Sequence, residues 1–116
     1  GWDKDNFEAY NSLTKLNFFL QINGMNKNSY KIYDFDKNNF PIDKFDYIIS
    51  LYSLDYHYDF NIYIDYLKKV CHKETKIIFD TIRSDYFEKV FKNIKIIQSK
   101  EDTVHKSKRI ICSEFI

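Results

Sequence analysis

Phe45-Asp46-Tyr47-Ile48-Ile49-Ser50-Leu51 is the stretch on which the fold class turns. Tyr47 to Leu51 is a near-continuous apolar run rather than an alternation, and a strand buried on both faces of a parallel sheet reads that way. Thr75 to Phe79 repeats the pattern and ends at Asp80. Between the two runs, Asp55 to Asn61 reads as a loop and Ile62 to Val70 as a short amphipathic helix. Strand, helix and strand in that order predict an α/β sheet. Downstream, Ser84 is placed to cap a helix through about Phe91. Ile94 to Gln98 and Arg109 to Phe115 then read as strands of an antiparallel hairpin around the polar stretch 99–108. Upstream of Phe45 lies a polar loop, 36–43, holding Pro41, the one proline. Ser29 to Phe35 reads as a strand before it. Further back, Phe7, Tyr10, Leu13, Leu16, Phe19 and Leu20 recur at helical spacing after Asp5 or Asn6 as a cap. That helix is expected to stop at Asn23-Gly24. Gly1-Trp2-Asp3 reads as a turn or a strand end.

The chain has 116 residues, 44% hydrophobic and 19% aromatic, which suffices for one core and places all of 1–116 in a single domain. Eighteen basic residues against seventeen acidic ones give a formal charge of +1, so neither nucleic acid nor a membrane is an expected partner. No apolar stretch approaches a spanning length and no secretory leader opens the chain. Cys71 and Cys112 stand alone beside apolar runs and read as reduced thiols packed in a core, which predicts a cytoplasmic location. Gly1 in place of methionine suggests a fragment or processed product. The abundance of Lys, Asn, Ile, Phe and Tyr suggests an AT-rich genome.

Ligands of open α/β sheets bind beyond the carboxyl ends of the parallel strands. Four points of the sequence fall there: Asp3, Phe35-Asp36, Ser50 to His57, and Asp80 to Arg83. These residues resemble the class I, Rossmann-like S-adenosylmethionine-dependent methyltransferases. Gly1-Trp2-Asp3 is similar to the segment after that family's second strand, where an acid takes both ribose hydroxyls. Asp36, with Phe35 before it, is similar to the acid that meets the adenine amino group. Phe45-Asp46-Tyr47-Ile48-Ile49-Ser50 looks like the fourth-strand motif, which puts Ser50 and Leu51 beside the cofactor. The stretch from Asp55 through His57 to Tyr63 is similar to a His-Tyr-Pro…Tyr segment of bacterial sugar O-methyltransferases, with Asp59 where proline is expected. Asp80-Thr81-Ile82-Arg83 resembles their Asp-x-Arg, spaced one residue wider. The resemblance implies a cofactor set of Asp3, Phe35, Asp36, Ser50 and Leu51. It also implies His57 as general base and Asp55, Asp80 and Arg83 toward a hydroxyl acceptor, a sugar.

The implied fold is a partial Rossmann-like methyltransferase sheet, mostly parallel with a closing antiparallel hairpin. In the whole family sheet the strands run three, two, one, four, five, seven, six. Gly1 and Gly24 are the only glycines, and neither follows a long apolar strand. The first strand and its glycine-rich loop are therefore missing, and an upstream segment or another chain is expected to complete the sheet. Weak cofactor binding by this chain alone follows.

Plainer readings stand beside these. Asp3 also suits a helix cap, Asp36 a turn, and Ser50 a strand end whose hydroxyl bonds backbone. His57 also suits a packed aromatic loop. Asp55 either orients His57 or does nothing. His72 and His105 read as surface residues, and 100–108 as a solvated loop. A metal site at Asp55, His57 and Asp80 would require loops after two strands to converge, and none is assigned. The alternative function is a non-catalytic methyltransferase-like scaffold or partner module. A dehydrogenase is disfavoured by the lack of Gly-x-Gly-x-x-Gly.

Overall fold

A computed structural model describes residues 2–3, 8–9, 13–34, 37, 40–100 and 106–116. The chain divides into two units, Gly1–Pro41 and Ile42–Ile116. Phe35, Asp36, Phe7, Tyr10, Asp5, Asn6 and His105 lie outside the described residues, and of Asp3 only the backbone is described.

In the first unit, β1 (Trp2–Asp3) pairs antiparallel with β2 (Glu8–Ala9). Helix α1 spans Leu13–Ile22. The expected start at Phe7 is corrected, because Glu8 and Ala9 are committed to the two-strand ladder. The stop is where glycine demands it. Gly24 sits at φ 87°, its N–H bonds Gln21 O, and Met25 N–H reaches back to Leu20 O. This left-handed exit satisfies carbonyls that the helix leaves open. No residue of α1 is buried; Phe18, Phe19 and Ile22 are all more than half exposed. The expected strand from Ser29 is also corrected. Residues 29–34 are irregular, and local bonds hold the chain just before them: Asn26 Oδ1 accepts from Asn28 N–H and Asn26 O from Ser29 N–H. Asparagine favours this side-chain turn over extended backbone.

The second unit carries a four-stranded sheet. Strand β3 is Phe45–Ser50, followed by a loop and a 3-10 turn at Phe60–Ile62. Helix α2, Ile64–Val70, runs directly into β4, Cys71–Thr81. A second 3-10 turn, Ser84–Lys89, precedes β5 (Phe91–Ser99), and β6 is Lys108–Phe115. The expected helix after Ser84 is thus shorter and tighter. Its cap position is Arg83, and no side chain caps it.

The strands lie in the order β3-β4-β6-β5. Only β3 and β4 are parallel; β4–β6 and β6–β5 are antiparallel. The fold is therefore α/β with a mixed sheet, and the expectation of a mostly parallel sheet is corrected. The stretch expected as an earlier strand is irregular over 29–34, so one parallel pair remains and the two antiparallel ladders outnumber it. Ile110 and Cys112 on β6 are wholly buried, whereas β5 is exposed along most of its length. The strand with apolar material to hide takes the interior place, and the polar strand takes the edge.

One face of this sheet is covered. Ile77 and Phe79 of β4, with Ile110 and Cys112 of β6, pack with Phe60, Leu67, Phe87 and Phe91. Ring centroids lie 5.2 Å apart for Phe60–Phe79, 5.0 Å for Phe60–Phe87 and 4.9 Å for Phe79–Phe87. The Phe60–Phe87 and Phe79–Phe87 pairs meet edge to face, the arrangement that suits the ring quadrupole. The opposite face carries the cross-strand row Tyr47, Lys76, Ser113 and Asn93, none of them buried. Among the described residues no helix is long and apolar enough to cross a membrane.

Candidate functional site

The carboxyl ends of β3 and β4 and the start of β6 meet at one end of the sheet, because β6 runs the other way. Ser50 pairs with Phe79, and Asp80 with Arg109. The loop leaving β3 is wound by its own backbone. His57 N–H bonds Tyr52 O at 3.1 Å, Tyr58 N–H bonds Ser53 O at 2.9 Å, and Tyr56 N–H bonds Leu54 O at 2.8 Å. The Ser50 hydroxyl accepts from Leu54 N–H at 3.2 Å, and Leu51 O accepts from Asp80 N–H at 3.1 Å. The end of β3 is thereby tied to both the loop and β4.

Asp55 is the pivot of this loop. Its backbone lies at φ 65°, a conformation non-glycine residues seldom adopt and aspartate tolerates better than most. Its side chain is 1% exposed, a charge that needs partners there. Thr81 Oγ1 donates at 2.6 Å and Phe60 N–H at 3.3 Å, and Arg83 donates from both Nε and Nη2. Arg83 also reaches Asp59 at 3.0 Å and lies 4.2 Å over the Tyr86 ring. The hydrogen bonds to Asp55 raise the Arg83 guanidinium above its ordinary value, so it stays charged. Asp59 is held below the usual carboxylate range by the Asn61 N–H and then by Arg83.

A second pair stands beside the first. Arg109 Nε and Nη2 meet the two Asp80 oxygens at 2.8 and 3.1 Å, and Asp80 is 1% exposed. The bond to Asp80 likewise raises Arg109. Two-point guanidinium–carboxylate pairing fixes orientation as well as charge.

Of the expected site residues, the structure therefore brings together Ser50, Leu51, Asp55, His57, Asp80 and Arg83. The carboxylate of Asp55 goes to Arg83, Thr81 and Phe60 and does not orient His57. The His57 ring is exposed and meets the Tyr56 ring edge-on at 5.0 Å. Its nitrogens have no hydrogen-bond partner among the described residues. Tyr56 in turn packs edge-on to Tyr52 at 5.9 Å, and Lys100 Nζ lies 3.1 Å from the Tyr52 hydroxyl. The result is an aromatic shelf with an accessible imidazole and a basic fringe. The sequence reading missed Arg109, Thr81, Tyr52 and Lys100. Arg109 carried a usable signal, since a charged residue opening an antiparallel strand lies beside those that close its parallel neighbour.

A cavity of about 690 Å³ lies at the opposite, amino end of β3 and β4, lined in part by Asp46, Tyr47, His72, Lys76 and Ser113. There His72 Nε2 is 2.7 Å from Asp46 Oδ1, and His72 Nδ1 accepts from Glu74 N–H at 3.1 Å. That pattern assigns the proton to Nε2. Among the described residues no cluster of three or more His, Cys, Asp or Glu is set to hold a metal.

No family model, curated protein or solved structure matches the chain.

Proposed function

We propose that this chain forms the closing part of an S-adenosylmethionine-dependent methyltransferase sheet that acts on a hydroxyl, that of a sugar. The observation that carries the reading is strand order. β3, β4, β6 and β5 succeed one another as the fourth, fifth, seventh and sixth strands of such a sheet would, with β6 alone reversed. The catalytic part rests on where the His57 loop falls, since fold by itself assigns no chemistry.

Fit to the cofactor differs along its length. Ser50 and Leu51 are half-buried at the strand end beside the Tyr52–Tyr56 shelf, which suits an adenosine. No counterpart of the glycine-rich cradle is found among the described residues. Gly24 is their only glycine, and a Cβ there would meet nothing within 4 Å. Bound S-adenosylmethionine supplies an electrophilic methyl carbon. His57 takes the acceptor hydroxyl's proton, a role imidazole can serve near neutral pH. The Asp55–Arg83 and Asp80–Arg109 pairs hold the loop and strand ends in place. Another chain adds the strand that β3 lacks on its outer side among the described residues.

Titration of the isotope-labelled chain with S-adenosylhomocysteine, followed by amide shifts, tests the reading. Weak saturable shifts at Ser50, Leu51 and 52–57 are expected. Shifts absent, or confined to the amino-end cavity, would remove it. In a protein with a confirmed acceptor, His57→Ala should lower turnover by about 10²–10⁴-fold with cofactor affinity little changed.

A second reading, a non-catalytic scaffold module, draws support from the same charges. Asp55, Arg83, Asp80 and Arg109 satisfy one another, as groups kept for structure do. The two readings part at His57, which such a module does not need.

A further inference from the structure

Strand β3 is an edge strand, hydrogen-bonded to β4 on one side and, among the described residues, to nothing on the other. Edge strands that stay single are blunted by lysine, proline or inward charge. From Tyr47 to Ser50 this one has none of these. After an irregularity between Phe45 and Tyr47 it runs in regular register, and Tyr47 and Ile49 stand 62% and 63% exposed on one face.

We infer that this free edge is an interface for a second copy of the chain, the two β3 strands pairing antiparallel about a two-fold axis. The strand's own order of residues argues for that occupant. Centred on Ile48, the pairing sets Ile48 against Ile48, Tyr47 of each copy against Ile49 of the other, and Asp46 against Ser50. Every apolar residue then meets an apolar residue, the aromatic–β-branched contact occurs twice, and no like charges face. Shifting the centre to Tyr47 places Asp46 against Ile48 and loses the match. A two-fold contact needs such self-complementarity, because the same patch serves both sides. The paired strands join two four-stranded sheets into one and extend the open-face row of Ile49, Ile78 and Ile111 across the axis. This inference does not rest on the methyltransferase reading: its test reads oligomeric state, whereas that reading is tested by ligand shifts.

Sedimentation velocity on serial dilution of the whole chain is the measurement. The wild type should show a concentration-dependent, roughly two-fold rise in weight-average mass. Tyr47→Lys with Ile49→Lys puts lysine against lysine at both contacts and should abolish the rise. Tyr47→Lys with Ile49→Glu puts lysine against glutamate at both and should restore it. Both side chains are exposed, so circular dichroism and melting temperature should stay close to wild type in each variant. A wild type monomeric at every concentration overturns the inference, as does a two-lysine variant that still dimerises. A chain that instead grows into larger species without a dimer plateau overturns the two-fold pairing.

Discussion

The two faces of the four-stranded sheet are made from the same strands and treat their side chains oppositely. On one, Phe60, Phe79 and Phe87 have no exposure at all. On the other, Tyr47 and Ile49 are mostly in solvent, and the row across the strands is Tyr, Lys, Ser and Asn. The contrast separates what holds this unit together from what it offers to partners. Five substitutions and one chemical probe sharpen the contrast.

The largest effect is expected on the covered face. Phe87→Ala removes the ring that touches Phe60, Phe79, Tyr86 and Phe91. It should cost about 3–5 kcal/mol in denaturant unfolding. Ile49→Ala, measured under dilute conditions, should stay within about 0.5 kcal/mol. Equal losses would mean that both faces are packed.

Arg83→Ala comes next. It leaves Asp55 buried with only Thr81 and the Phe60 N–H as donors. A loss of about 1.5–3 kcal/mol is expected, the range for bonds to a charged group. Adding Asp55→Asn should recover part of it, since the uncompensated charge goes and asparagine tolerates the left-handed backbone. No recovery would show that the loop depends on the carboxylate itself.

Thiol reactivity gives the smallest effect. Burial pushes Cys112 up to about 12, and Cys71 is also raised by burial though half-exposed. Cys71 should react first with a disulfide reagent, and Cys112 only as the chain unfolds. The sign for stability follows. A thiol raised in the folded state favours folding below its unfolded value of about 8.5, and that contribution is lost as pH climbs toward the folded one. Alkaline destabilisation beginning near pH 9 should therefore be weakened in Cys112→Ala, relative to that variant's own neutral-pH stability. A Cys112 that reacts in the native state at the Cys71 rate would place it outside the core.

How much of this was legible in the sequence depended on whether a feature is local. The runs at Tyr47–Leu51 and Thr75–Phe79 announced β3 and β4, the spacing from Ile62 announced α2, and Gly24 announced the end of α1. Ser29 to Asp34 has strand-forming residues but, among the described residues, no partner strand, and strand formation depends on neighbours more than on composition. The place of β6, by contrast, was expected, because the family order sets the last strand between the fifth and the sixth, and β6 lies between β4 and β5. At the candidate site, the run ends at Ser50 and Asp80 placed both residues at one end of the sheet. The pairs Asp55–Arg83 and Asp80–Arg109 bridge 28 and 29 residues. No periodicity encodes such a distance, so the roles of those charges emerged only with the fold.

The interior position of β6 also bears on the order of events during synthesis. It is the last of the four strands to leave the ribosome, yet it lies between β4 and β5. Until Lys108–Phe115 is made, β5 has no neighbour, and the wholly buried places of Ile110 and Cys112 cannot be filled. The nascent chain can wind α2 and set β3 beside β4, but the sheet must wait for long-range pairing, the slow kind of contact to form. During that interval the apolar face of β4 lacks the cover that Ile110 and Cys112 give it. A growing chain of this sequence is therefore most exposed to misassembly just before β6 emerges.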